Sequence, residues 1–347
     1  MRVGFISSLS PWHSVERTVG GLQRQLAVAS REVSSGLRAD LGRHLGYGTG
    51  NYLSQKSILS TLDQLQTTNG RLASRLDQTQ QALSAIANLT TDFRSSLIAA
   101  RQSPDARAQL VEDAKSRIGA LVGLLSTTSD GAYIFSGMNT DVAPLAKYET
   151  GSVAKNAVDA TFQSYFGFSQ NSASVTSITA AQMDDYLRTS FNLLGTQPAW
   201  SANFSAATDE VLTSRIQDGQ VVETSLSANA SALTSLYLSL VAIIDTGASQ
   251  LDPPAFETLI DHTIATTAQS IASLNDQQAR LGQVQQRIVE ANVIAEDSIS
   301  RLQAIIGEAE SVDPYEASTR LTNLSDQLNV AYTVTSHLKN LSLLNYL

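Results

Sequence analysis

The chain has 347 residues, 42% of them apolar and 16% charged, so it has enough greasy surface to fold and is neither a disordered nor a heavily charged solubilising sequence. Its net charge of −9 argues against general affinity for nucleic-acid phosphates or for an anionic membrane. The absence of cysteine and the presence of only 4 histidines exclude a disulfide framework, thiol catalysis and the usual zinc sites.

From the N-terminus, residues 1–10 carry no apolar core long enough for a secretory signal, which predicts export, if any, by another route. Trp12, Val15, Val19, Leu22, Leu26, Ala29 and Val33 then recur at steps of three and four, the spacing of a helical seam. Gly42, Gly46, Gly48 and Gly50 punctuate the following stretch and predict a flexible loop over Gly46–Gly50. A second seam follows through Ile58, Leu62, Leu65, Asn69, Leu72, Leu76, Thr79, Leu83, Ile86, Thr90, Phe93 and Leu97. Its polar members Asn69, Thr79 and Thr90 have the character of register-setting positions.

A third helix is predicted over 104–136, opened by Ser103-Pro104-Asp105, with Leu110, Ala114, Ile118, Leu121 and Leu125 inward and its end at Asp130-Gly131. Gly131 suits a positive φ, Tyr133, Ile134 and Phe135 suit a short extended piece, and Gly137 turns the chain. Over 140–255 the heptads disappear and aromatics scatter, as expected of a separate domain of mixed α and β structure. It holds a helix over 180–194 and a turn into a strand over 216–222. The apolar run 236–244 is too short to cross a membrane.

Heptads return with Ile271, Leu274, Leu281, Val284, Ile288, Ala291, Ala295, Ile299, Leu302 and Ile306. Ser311-Val-Asp-Pro314 breaks that helix, Asp313 being a cap and Pro314 a first helical residue. Ala317, Leu321, Leu324, Leu328, Ala331, Thr335 and Leu338 form the last seam.

Such stripes need partner helices, and the cheapest partner is the other end of the same chain. Residues 1–104 hold 11 basic and 6 acidic groups and residues 261–347 hold 5 and 10, which favours that pairing, while residues 141–260, with 4 and 12, form an acidic block. Exposed ion pairs contribute only about 0.2–1 kcal/mol each against roughly 1.5–3 kcal/mol for a buried Leu or Ile, so the seams hold the pairing and charge biases it. The expected fold is mainly α, a long antiparallel coiled-coil bundle built from both chain ends with a central mixed α/β outer domain. Its expected divisions are an N-terminal assembly helix and loop (1–50), rod helices (51–139), the outer domain (140–255), a return rod helix (256–310) and a C-terminal assembly helix (311–347).

Catalytic constellations are missing. Gly46-Tyr-Gly-Thr-Gly50 lacks the Lys-Ser/Thr of a phosphate loop, Asp184 and Asp185 point about 100° apart on a helix, and His13, His44, His262 and His337 have no ligand spacing. No cofactor or metal site is expected, and the chain reads as a non-enzyme.

Three segments together resemble the flagellin superfamily. Ser34-Ser35-Gly36-Leu37-Arg38 is similar to its N-terminal signature, with Gly36 and Arg38 as the matching residues, and Asn340–Leu347 to its apolar C-terminus. Gly131-Ala-Tyr-Ile-Phe-Ser-Gly137, with Gly131, Tyr133, Phe135 and Gly137 as the motif, followed by Asn139-Thr-Asp141 and Pro144, is most similar to the hook-associated, hook-filament junction members. The stretch after Arg38, Ala39-Asp-Leu-Gly-Arg-His-Leu-Gly46, departs from the family's Asp-Asp-Pro-like turn.

The resemblance implies a structural component of the flagellum, exported unfolded through the type III channel without a cleavable signal. It also implies an extracellular position between hook and filament. The implied partners are further copies in a ring, a hook-side hook-associated protein, flagellin, and an export chaperone at the C-terminal region, with neither nucleic acid nor membrane. The assembly seam is expected at Val15, Val19, Leu22, Leu26, Leu321, Leu324, Leu328 and Leu338. The alternatives are a filament flagellin, a helical surface receptor or adhesin using the acidic block, and a hydrolase, against which the missing constellations argue.

Overall fold

The computed structural model describes residues 9–103 and 106–344, with side chains described over 13–103 and 106–337. Pro104 and Asp105 of the expected helix start and the final three residues lie outside the described residues, as do the side chains of Trp12 and Leu338. Among the described residues the fold is mainly α, with two small antiparallel hairpins. Its elements are α1 (Leu9–Ser35), α2 (Leu41–Leu45), α3 (Thr49–Gln102), α4 (Arg107–Leu125), β1 (Thr128–Ser129), β2 (Ala132–Tyr133), α5 (Val153–Phe166), α6 (Ala180–Tyr186), α7 (Ala199–Asn203), β3 (Thr213–Gln217), β4 (Gln220–Glu223), α8 (Ser231–Asp245), α9 (Pro253–Glu310) and α10 (Pro314–Leu344). Two compact units share them: a terminal unit of Met1–Gln64 with Ala295–Leu347, and a central unit of Leu65–Ile294.

In the central unit, α3 and α9 run antiparallel. Asn69 Nδ2 donates to Asn292 Oδ1 at 2.9 Å, Gln285 to Asp77 at 2.6 Å, Gln80 to the Gln278 carbonyl at 2.8 Å, and Arg101 pairs with Asp261 at 2.7 Å, so numbers fall along α9 as they rise along α3. The heptad residues Leu76, Leu83, Ile86, Phe93 and Leu97 are buried with Leu274, Leu281 and Ile288 in one contiguous core. Of the three polar seam residues, Asn69 alone reaches across, its amide also donating to the Ile216 carbonyl at 2.9 Å and so holding the β3–β4 hairpin on α3. Thr79 and Thr90 bond the carbonyls of Arg75 and Ile86 one turn back in their own helix.

Helix α4 stops at Leu125 rather than continuing to Asp130. The Asp130-Gly131 pair has positive φ at both residues, 51° and 81°, the two-residue hairpin geometry that turns β1 into β2. The apolar run 236–244 lies within α8, which is buried almost all round and packs on α4. Over 180–194 the expected helix is interrupted, α6 passing into a π-helical turn at Leu187–Phe191.

In the terminal unit, α1 and α10 pair antiparallel. Gln23 donates to the Tyr332 hydroxyl at 2.8 Å, and Arg320 binds Glu32 at 3.0 Å. Gly46–Gly48 is a 3₁₀ turn leading into α3, not the flexible loop expected from its glycines. Two seam positions also differ: Val33 and Ile58 are exposed. Glu32 is buried in place of Val33, because its carboxylate accepts from the Ala39 N–H at 3.1 Å as well as from Arg320.

Candidate functional site

The terminal unit brings the two chain ends together residue by residue. On α1, Val15, Val19, Leu22 and Leu26 are half-buried and Ala29 is fully buried; on α10, Leu321 is half-buried while Ala317, Leu324 and Leu328 are buried. The seam is narrow. Its other side chains stay in solvent, among them Val28, Tyr315, Val330, Tyr332 and Val334.

Gly36 and Arg38 form a backbone clip at the end of α1. Gly36 takes φ +69° and its N–H closes on the Glu32 carbonyl at 2.9 Å, ending the helix in the left-handed conformation that a Cβ disfavours. Leu37 then bridges Ser311 in an antiparallel pair, Arg38 N–H donates to the Glu310 carbonyl at 2.8 Å, and Val312 N–H to the Gly36 carbonyl at 3.0 Å. The Ser311–Pro314 break is therefore a docking point as well as a stop. Asp313 Oδ1 caps α10 by accepting from the Tyr315 N–H at 2.8 Å.

Glu310 holds this clip from the other side. Its carboxylate accepts the Tyr52 hydroxyl in a short contact and pairs with Lys56 at 2.7 Å. Hydrogen bonds from Lys56 and then Tyr52 lower the Glu310 pKa, and hydrogen bonding to Glu310 is the main cause raising that of Lys56. Nothing in the sequence spacing singles Glu310 out.

In the central unit, Gly131 to Gly137 is a structural tie. Tyr133 is half-buried, while Ile134 and Phe135 are buried. The Phe135 carbonyl accepts from the Ala228 N–H at 2.7 Å, and the Ser136 carbonyl from the Thr208 N–H at 3.1 Å. At Gly137, φ is +64° and a Cβ would lie 2.5 Å from the Thr208 carbonyl oxygen, so only glycine fits. Asn139 donates to the Ala206 carbonyl at 2.9 Å. The motif thus joins the end of α4 to the chain that returns before α8.

The same unit holds a charged cluster that sequence reasoning missed. Lys155 Nζ lies 2.5 Å from Asp159 and 2.9 Å from the largely buried Asp245, whose second oxygen accepts the Tyr148 hydroxyl in a short contact. Burial opposes the Lys155 charge, but its bonds to Asp159 and Asp245 outweigh burial and raise its pKa; burial and the Asp245 charge raise that of Tyr148. Asp245 follows directly on an apolar run, where a lone acid gives no clue to a partner 90 residues upstream in Lys155.

Asp184 and Asp185 serve local structure, pairing with Arg188 at 2.8 Å and with the Tyr165 hydroxyl, which that bond pushes up to about 12. His13, His44 and His337 are exposed and His262 is half-buried, with burial lowering its pKa. Among the described residues no three His, Cys, Asp or Glu side chains are placed to hold a metal, and no helix is long and apolar enough to cross a membrane.

The sequence pattern of the bacterial flagellin N-terminal helical region matches residues 6–140, and that of the flagellin C-terminal helical region matches residues 264–347. In fold the chain is similar to a flagellar hook-associated protein from Vibrio parahaemolyticus, with a TM-score of 0.52 at 11% identity over 76% of this chain and 97% of that one. It is also similar to Bacillus cereus FlgL, with a TM-score of 0.50 at 13% identity over 74% of this chain and 100% of that one. No curated protein matches it in sequence.

Proposed function

Because the chain belongs to the bacterial flagellin superfamily, whose N- and C-terminal helical regions form its two ends, we propose that it is a non-catalytic subunit of the flagellum that joins hook to filament by self-assembly. The observation that carries this reading is the terminal unit, in which α1 and α10 zip into a seam too narrow to cover their apolar side chains. Val330, Tyr332 and Val334 need a surface from another molecule. A hook-filament position, rather than one within the filament, is favoured by two similar folds matched over nearly their whole length, one a hook-associated protein and the other FlgL.

In this reading copies form a ring, with a hook-side hook-associated protein on one face and flagellin on the other. A chaperone holds the C-terminal region before export, which proceeds without a cleavable signal. The acidic central residues face outward.

Electron microscopy of a strain lacking the gene tests the proposal. Hooks without filaments are the expected result. Filaments that persist but lack one component would make the chain a filament flagellin instead, and normal motile flagella would overturn both.

A further inference from the structure

The terminal unit contains a groove of about 750 Å³ between α1, α2 and α10. Val28, Ala29 and Leu324 give it an apolar floor, and Arg24, Arg38 and Arg43 line it with positive charge. The acids of the same groove are already engaged. Glu32 binds Arg320 at 3.0 Å and the Ala39 N–H at 3.1 Å, Glu316 binds Arg320 at 2.5 Å, and Asp40 caps α2 through the Arg43 N–H at 3.0 Å. Among the described residues no carboxylate pairs with Arg24, Arg38 or Arg43, and Arg38 Nε is buried without an acceptor. A forked cation with a buried, unmet N–H calls for an oxygen acceptor, and a carboxylate fits it in two-pronged fashion.

The same unit carries the complementary surface elsewhere. On α10, Asp326, Val330 and Val334 recur at intervals of four, which places them on one face. Val330 is 63% and Val334 45% exposed, and Asp326 is exposed with no ion pair among the described residues. At about 100° and 1.5 Å per residue, Asp326 and Val330 are turned about 160° and 120° from Leu324, and Val334, turned only about 80°, lies about 15 Å farther along the helix axis, beyond the groove. The stripe therefore cannot fill its own copy's groove.

We propose that the Asp326–Val330–Val334 stripe of one copy seats in the Arg24–Arg38–Arg43 groove of the next, carboxylate to guanidinium and valine to the Val28–Leu324 floor. Groove and stripe are different surfaces, so the contact is head-to-tail and adds copies in one direction, as a closed ring or an open row requires. The occupant is a second copy because the matching acidic and apolar face is on this chain, and the inference rests on the reading of the chain as a self-assembling subunit.

The natural absence of cysteine makes the test clean. Full-length Val28→Cys/Val330→Cys protein is expressed in flagellated cells, and purified flagella are oxidised and run on a non-reducing gel. A ladder of dimers, trimers and higher species from the double variant, with none from either single variant, is the expected result. Flagella that contain the double variant only as monomer overturn the proposal, and so does a dimer from Val28→Cys alone, which would mean a two-fold contact.

If the double variant fails to incorporate, charge exchange decides. Asp326→Arg should cut incorporation at least ten-fold and Arg24→Asp in the same chain should restore it; no restoration overturns the proposal. If the unaltered chain is absent from flagella, the functional reading fails by itself. Oxidation of the concentrated, purified double variant then decides the contact separately: a ladder supports it and monomer overturns it.

Discussion

The central and terminal units are built from the same kind of helix and bury their side chains very differently. The contiguous core, from Leu76 through Phe93, Trp200 and Tyr237 to Ala291, belongs wholly to the central unit. There α3 and α9 are backed by α4, α8 and the aromatic layer around Phe162 and Tyr186, so each seam is covered on several sides. The terminal unit buries only thin files, Ala295, Ile299 and Ile306 on α9 and Ala29, Val312, Ala317, Leu324 and Leu328 along α1 and α10, and leaves large apolar groups in water. A heptad stripe contributes to stability in proportion to the area covered, so the seams of the central unit contribute more to its stability than the α1–α10 seam does to that of the terminal unit.

The sharpest way to break that contrast is to place a charge in the terminal seam. Leu324→Asp leaves an unpaired carboxylate in the terminal seam and should abolish assembly, while denaturant unfolding of the central unit stays unchanged. Electron microscopy of complemented cells and a urea titration of the purified variant give the two readings. Normal filaments would show that this seam does not serve assembly. Next in size, Trp200→Ala removes a fully buried ring stacked on Phe204 and should cost the central unit about 3–5 kcal/mol, read as a lower urea midpoint. Gly137→Ala should cost roughly 1–3 kcal/mol, since its Cβ enters the Thr208 carbonyl at a positive φ. A Gly36→Ala variant, at φ +69° but with open space around its Cβ, should lose less, and that difference separates clash from strain.

Periodicity made the seams readable because burial repeats with the helix. Ala317, Leu321, Leu324, Leu328, Ala331 and Thr335 are each buried or half-buried in the order their spacing predicts. What spacing missed has local causes. Val33 continues the numerical step, but the backbone clip at Gly36–Arg38 needs an acceptor nearby, and Glu32 takes the inward place to supply it. The helix through Leu125 extends to Asp130 on composition alone, yet Asp-Gly is a stronger hairpin signal than the preceding helix is a persistent one. The Lys155–Asp245 pair joins residues far apart in sequence through tertiary packing, and no periodic rule reports such a pair.

The smallest expected effect concerns the clip itself and distinguishes the units by pH. Glu310 binds Lys56 and Tyr52 through its charged form, so its folded pKa lies below the ordinary glutamate value of 4.5. A carboxylate depressed by folding contributes stability that is fully present above its unfolded pKa and is lost as pH falls through the folded one. Lys56, raised above 10.5, acts at the other extreme and stays charged throughout the acid range. The terminal unit should therefore loosen on acidification below about pH 4.5, followed by helical ellipticity or by hydrogen exchange at the Arg38 amide, which donates to the Glu310 backbone carbonyl. Glu310→Gln keeps the shape and removes the charge, so its clip should be weaker at neutral pH and flatter in its response to acid. Equal acid responses in the two proteins would mean that the Glu310 carboxylate does not hold the clip, which then rests on its backbone bonds and on the seam.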